Sequence, residues 1–581
     1  MAGNELSAEN SASADAKARP IGYVVGGGLR ENLKARLLIP ADQVQEGSFI
    51  MIPSGNWIYY GSVTNIQLGA TDPRFADEQS EIRLPFELAQ WLHGQTLFTT
   101  LEILPVLMIE RGPDPASEAY LKWQEEIQLG LRNPPQPMPV KTIPPHHAEV
   151  FLAGEGEIAE IFGKPNQAEN FVLGYTREGN HPICLNLDRF VQRSSGIFGA
   201  TGSGKSFLTR ILLAGLIRRN RASLLVFDMH NEYGFDDIAS DSGLKVNGLK
   251  TLFPARVRVV TLGSRSTIRG TAADFNLVIA QKDIRPIDIE LLSSELNLKE
   301  TTPTTLEALV TSFGVENWFR EFKEMVNGAM EEDENGKKIA APYSVAAWAN
   351  RAGVNVMAAE GLHAKLSALF HRDYILENPA SDSIGEIIKM LQNGQHVVLS
   401  FGDYESDLDY LFVTNLITRR IREAWQEQTN HYRTKKGAEP RPLVIVLEEA
   451  HKLLNRQMAA QTTFNIIARE MRKYYVTLLI VDQRPSQIYD EVMSQLGTRI
   501  SGWLGDDDDI RAVLAGLAGR ETLRGMLTHL QPKEEALLLG WGVPIPIPIR
   551  SRRYDASFWK EVSDLKANAV SQEKIISELG F

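Results

Sequence analysis

Apolar residues along this chain fall into two kinds of run. In the first 150 or so positions they are short and rich in β-branched and aromatic side chains: 21–25, 35–39, 49–52, 57–60, and a longer stretch over 97–109. Gly26, Pro40, Pro53 and Gly55 punctuate them, and short strands at such spacing predict a small β-barrel. The proline-rich segment 133–145 reads as a linker or extended arm. Beyond it come strand candidates at 223–227, 256–261, 396–401, 443–447 and 476–481, of which 443–447 is a continuous apolar run, as a central parallel strand covered on both faces requires.

Between these sheet runs the period changes. Over 286–377 apolar residues recur at helical spacing, through Leu306, Leu309, Trp318, Phe319 and Phe322 to Leu362, Leu366, Leu369 and Phe370. This predicts a helical insertion, interrupted by a charged loop at 331–338, whose aromatic stripe is core. A long amphipathic helix is expected over 409–428, and the basic segment 431–442 reads as a solvated turn. Further strands are expected at 498–504 and 535–539. Pro544, Pro546 and Pro548 argue against a central strand over 541–549, which predicts an extended arm.

The domains expected are a disordered lead-in (1–19), a barrel with its linker (20–145), an α/β P-loop domain (146–555) and a helical tail (556–581). The lead-in lacks the apolar core of a secretory signal. No run approaches the roughly 20 apolar residues of a membrane helix, so no membrane partner is expected. The single cysteine, Cys184, excludes an intrachain disulfide framework and suits a reducing cytoplasm. A net charge of −12 argues against a surface that coats nucleic acid, and confines any DNA-binding cations to a groove or pore.

The chemistry is concentrated in a few short stretches. Gly199-Ala200-Thr201-Gly202-Ser203-Gly204-Lys205-Ser206 fits the phosphate-binding pattern G-x-x-x-x-G-K-[ST], between a strand-like approach and a helix-compatible run that opens with Phe207. The glycines let successive N–H groups face phosphate oxygens. Lys205 is placed for the β- and γ-phosphates of ATP and Ser206 for Mg²⁺, with Phe207 counted in the nucleotide-binding set. At the end of the 443–447 run stand two acids: Glu448 to organise the metal, and Glu449 to polarise the attacking water. Gln483, at the end of the next strand, is placed to sense the γ-phosphate. Arg469 and Arg472 are either exposed helix cations or a charge inserted into a neighbouring subunit's site. The segment from Asp228 through His230 and Glu232 to Gly234 is either a surface turn or part of the ligand edge of the sheet. The acids 506–509 resemble a metal site but fit a helix N-terminus better.

Taken together, the 199–206 loop, Asp228-x-His230-x-Glu232-Tyr233, Glu448-Glu449-Ala450-His451, Arg469-Glu-x-Arg472-Lys473 and Gln483-Arg-Pro-Ser486 resemble the HerA family of ring ATPases, relatives of the FtsK translocases. The resemblance covers most of the chain. It implies a RecA-like ATPase with a helical insertion, preceded by a HAS-barrel-like domain. It further implies a homohexamer with ATP between subunits and duplex DNA in the central channel, paired with a NurA-like nuclease or with a sirtuin-like or nuclease effector of antiviral defence. The function expected is ATP-driven DNA translocation. The alternative is a nucleotide-regulated ring scaffold that controls an effector. The family more often has Asp where this chain has Glu448, which shifts the carboxylate relative to Mg²⁺.

Overall fold

The computed structural model describes residues 19–29, 31–71, 97–113, 116–133, 135–238, 243–263, 267–268, 270–332, 338–456, 463–517 and 519–563. The expected lead-in lies almost wholly outside them, as does the expected tail beyond the helix Ala556–Val562.

The N-terminal strands β1 (Gly22–Gly26), β2 (Leu33–Leu37), β3 (Phe49–Ser54), β4 (Trp57–Ala70) and β5 (Leu97–Glu110) form an antiparallel sheet that β2 closes by pairing with β5. Closure removes the open edges that a small sheet would otherwise expose. The barrel is completed by β6 (Glu149–Leu152), which pairs with both β1 and β3. The boundary drawn at 145 therefore falls too early: the chain crosses the expected linker and returns to the barrel before leaving it. Part of that linker is itself held, with Met138 and Pro139 paired along β5 and Tyr59 Oη 2.6 Å from Thr142 Oγ1.

The rest of the chain is built on one twelve-stranded sheet. Its strands are β7 (Asn170–Tyr175), β8 (Pro182–Asn186), β9 (Ser195–Phe198), β10 (Ser223–Asp228), β11 (Val257–Leu262), β12 (Phe275–Leu277), β13 (His396–Ser400), β14 (Leu443–Glu448), β15 (Val476–Asp482), β16 (Thr498–Ser501), β17 (Glu535–Gly540) and β18 (Ile547–Ser551). The spatial order is β12-β11-β13-β10-β14-β15-β9-β16-β17-β18-β7-β8. From β12 through β16 the strands run parallel, and every residue of β9, β10, β13, β14, β15 and β16 is buried. This is why the centres of β10, β14 and β15 read as near-continuous apolar runs.

The helical insertion is present. Helices Pro286–Glu290, Thr302–Phe313, Trp318–Glu324, Val345–Ala352 and Val356–Phe370 bury Trp318, Phe319, Phe322, Leu366 and Leu369, while a two-stranded hairpin flanks the charged loop. The expected arm at 541–549 is corrected. Ile547, Pro548 and Ile549 belong to β18, inside the sheet. Proline is tolerated because β18 meets β7 only at Arg550 and Ser551, so at Pro548 only the β17 side is paired.

Candidate active site

The parallel strands all end on one edge, where α/β sheets collect ligand groups. Strand β9 delivers the glycine loop there and lies in register with β15, so that Phe198 pairs with Asp482. Gly199 and Gln483 thus leave neighbouring strands at the same level, while β14 brings Glu448 and Glu449 from one strand further. Gly202 and Gly204 have φ of +78° and +90°, a backbone that L side chains rarely adopt. A Cβ on Gly204 would also stand 3.1 Å from the Lys533 Cα. The loop then becomes the helix Lys205–Arg219, whose residues from Leu208 to Ile217 are all buried.

A cavity of about 490 Å³ opens over this loop, bordered by Thr201, Lys205, Ser206, Glu448, Glu449 and Gln483 among others. Lys205 Nζ lies 3.9 Å from Glu449 Oε1. Gln483 accepts a hydrogen bond from Thr201 Oγ1 at 2.8 Å and donates to Glu449 Oε2 at 3.4 Å. Glu449 itself has φ +48°, a left-handed backbone costing on the order of 1–2 kcal/mol for a non-glycine residue. Behind it, Asp482 is fully buried and accepts from the His451 backbone N–H at 2.6 Å, with His451 Nδ1 at 3.0 Å. The Asp482 carboxylate raises the His451 pKa, mainly through that side-chain hydrogen bond. Glu449, His451 and Asp482 also form a group close enough to share a cation.

The segment after β10 combines both roles the sequence left open. Asp228 accepts the backbone N–H groups of Glu232 at 2.8 Å and Tyr233 at 2.8 Å, so it builds the turn. Burial pushes its pKa up to about 6 despite those bonds. Arg210 clasps the Glu232 carbonyl from the neighbouring helix. His230 and Glu232 are thereby turned towards the glycine-loop cavity. Glu448 is 4% exposed, and burial followed by repulsion from Asp228 raises its pKa well above the ordinary carboxylate range. Glu448 Oε2 and Glu232 Oε2 are both buried without a hydrogen-bond partner.

Those two carboxylate oxygens, beside Lys205 and the Ser206 hydroxyl, are hard donors suited to a divalent cation such as Mg²⁺. The acids at 506–509 are not such a site. The Asp506 carboxylate accepts from the N–H groups of Asp508 and Asp509 and caps the helix Asp507–Leu514. Arg469 and Arg472 do not border the cavity: Arg469 lies 3.4 Å from Glu491, and Arg472 is exposed on the turn Met471–Tyr474. Lys533, which sequence reasoning passed over, borders the cavity and donates its backbone N–H to the Ser203 carbonyl at 3.0 Å. No local pattern marks it, because it comes from a turn over 300 residues beyond the loop.

Residues 171–421 match the family described as Helicase HerA, central domain. The chain is 22% identical over 576 residues to a DNA double-strand break repair helicase HerA of Saccharolobus solfataricus, covering 96% of this chain and 99% of that protein. It is 23% identical over 538 residues to the protein of the same description from Sulfolobus acidocaldarius, covering 92% and 93%. Among solved structures, the plasmid coupling protein TrwB in complex with the ATP analogue ADPNP aligns at a TM-score of 0.43 and 13% identity, over 69% of this chain and 93% of that one.

Proposed function

This chain belongs to the HerA family and is a P-loop ATPase, and from that premise we propose that it works as a ring of six copies that hydrolyses ATP to move along duplex DNA. The observation that carries the chemistry is the joining of Lys205, Glu449, Gln483 and Thr201 around one cavity. Before nucleotide binds, Lys205 faces the carboxylate that would act as base. The β- and γ-phosphates compete for the ammonium, and Glu449 is released as they win. It then takes the proton of the attacking water, a contribution of about 10²–10⁴ in rate. Gln483 links that carboxylate to the glycine loop and reports whether the γ-phosphate is present.

Mg²⁺ would be held by Ser206 and by Glu448, whose orphaned oxygen fits it, with Glu232 close by. When bound it neutralises charge on the phosphate oxygens. Arg469 and Arg472, exposed and outside their own cavity, are suited to reach the site of an adjoining copy. The relatives' description as double-strand break repair helicases supports DNA as the track. A nuclease or a defence effector is the partner class expected to act with the ring.

The test is ATP turnover with and without duplex DNA. Mg²⁺-dependent hydrolysis stimulated by DNA, and lost in Lys205→Ala, is the expected result. Stimulation only by a protein partner would replace translocation with scaffolding. Full activity in a monomer at any dilution would remove the ring.

A further inference from the structure

The proposed base is fixed by more than the contacts that face the phosphates. Glu449 stands on a left-handed backbone, and hydrogen bonds pin the chain around it. Tyr410 Oη donates to the Glu448 carbonyl at 2.8 Å, the Lys452 N–H to the Glu449 carbonyl at 2.9 Å, and the His451 N–H to Asp482 at 2.6 Å. A backbone that costs free energy persists where its surroundings over-determine it, and such positions cluster at active sites.

The Glu449 carboxylate is divided between two sets of neighbours. Lys205 Nζ approaches Oε1 at 3.9 Å. Oε2 faces the Gln483 amide at 3.4 Å and His451 Nδ1 at 3.5 Å. Nδ1 also lies 3.0 Å from Oδ2 of Asp482, so two carboxylates face this one nitrogen. Ionised carboxylates only accept, and an imidazole proton therefore stands on Nδ1. Asp482 is completely buried, and its oxygens also accept the N–H groups of His451 and Arg484, which fixes the ring from behind. His451 borders a separate cavity of about 490 Å³, with Asp407, Tyr410 and Lys452, and not the one over the glycine loop. It meets Glu449 without lining the place of the nucleotide.

We propose that His451 is a positioning residue for hydrolysis: its Nδ1–H, held by Asp482, keeps Oε2 of Glu449 tethered when the phosphates draw Lys205 away from Oε1. This rests on the reading of Glu449 as base, and it gives the two oxygens different work. Oε2 is the anchored one, shared by His451 and Gln483. Oε1, vacated by Lys205, takes the proton of the attacking water as the water oxygen bonds to the γ-phosphorus and the bond to the ADP oxygen breaks. At 3.5 Å the His451 contact is long in the nucleotide-free chain, as catalytic hydrogen bonds often are before substrate is in place.

Equilibrium ATP binding and single-turnover hydrolysis by the full-length protein test it. His451→Ala leaves the backbone bond to Asp482 in place and removes the ring alone, whereas the amide of His451→Asn can donate from near the position of Nδ1. Turnover is expected to fall about ten- to a hundredfold in His451→Ala with ATP affinity changed less than about threefold, and to recover in His451→Asn to within about threefold of the unaltered protein. Because His451 acts through Glu449, adding His451→Ala to Glu449→Gln should cost no further turnover. Unchanged turnover in His451→Ala, an equal fall in both single variants, loss of ATP binding in both, or a comparable further fall on the Glu449→Gln background overturns the proposal. Normal turnover in Glu449→Gln by itself is a separate result, the failure of the base reading.

Discussion

The ammonium of Lys205 sits 3.9 Å from the carboxylate of Glu449, both largely shielded, so the proposed phosphate-binding cation and the proposed base neutralise each other in the nucleotide-free chain. Glu449 is held there by a left-handed backbone at the end of β14 and by the amide of Gln483. On the proposed mechanism the same contact restrains the base and is the one the γ-phosphate has to displace.

Breaking this pair separates binding from chemistry. Glu449→Gln keeps the shape and the Gln483 contact but removes the charge that competes with phosphate for Lys205. Nucleotide affinity is expected to rise several-fold while turnover falls about 10²–10⁴-fold, the range for losing a general base. Equilibrium binding and single-turnover hydrolysis measure the two separately. A variant with weakened binding and near-normal turnover would show that Glu449 is not the base.

Acid chemistry at the proposed metal edge predicts an unusual stability effect. Glu448 is buried with one oxygen unbonded, and its pKa is raised by burial and by Asp228. Folding therefore makes this carboxyl hold its proton more tightly, so its favourable contribution is full below the unfolded pKa and is lost as pH rises towards the folded value. Asp228, raised to about 6, acts in the same direction between its unfolded value and pH 6. His451, also raised, contributes below its unfolded pKa and loses that contribution as pH rises through its folded one. The nucleotide-free protein is expected to melt at progressively lower temperature from pH 5 to pH 8. Glu448→Gln should flatten part of that slope and stabilise the protein at pH 8 by on the order of 1 kcal/mol, while abolishing Mg²⁺-dependent hydrolysis. A Glu448→Gln protein that melts lower than the unaltered one throughout would contradict the burial argument.

Much of this arrangement was legible beforehand because its signals are local. The 443–447 run ending in two acids, and the glycine loop followed by Lys205 and Ser206, declare themselves within a few residues. What was not legible depends on distant partners. Pro548 entered a strand because its second neighbour begins only at Arg550, a fact of register and not of propensity. Lys533 acquired a role because its turn happens to pack on Gly204. Asp228 and Glu232 proved to divide the labour, one building the turn and the other facing the cavity, while Arg210 grips the Glu232 backbone carbonyl.

Gln483 is the link most open to a conservative test. It touches both Thr201 and Glu449, so Gln483→Ala removes the connection between loop and base without adding charge. Nucleotide binding should change less than threefold, and turnover should fall tenfold or more. Gln483→Glu should be worse, since a second carboxylate beside Glu449 competes for Lys205 and repels the γ-phosphate. If both variants keep normal turnover, Gln483 has no part in hydrolysis.

Arg472 is exposed and absent from the cavity of its own chain, so its contribution, if catalytic, must be made to another copy. Mixing subunits distinguishes this from a solvated surface cation. Arg472→Ala subunits retain a complete Lys205–Glu449 site that lacks only the neighbour's arginine, whereas Glu449→Gln subunits retain the arginine and lack the base. Neither preparation alone is expected to turn over ATP appreciably. In mixed rings, an Arg472→Ala subunit whose site is served by a Glu449→Gln neighbour has every group it needs, so activity should reappear and peak near equal proportions. Arg469 is salt-bridged to Glu491 and should tolerate Ala with under threefold loss if Arg472 is the inserted charge, or replace it in the same mixing test if not. Rings that show no recovery at any ratio, with either arginine, would place the stabilising charge elsewhere.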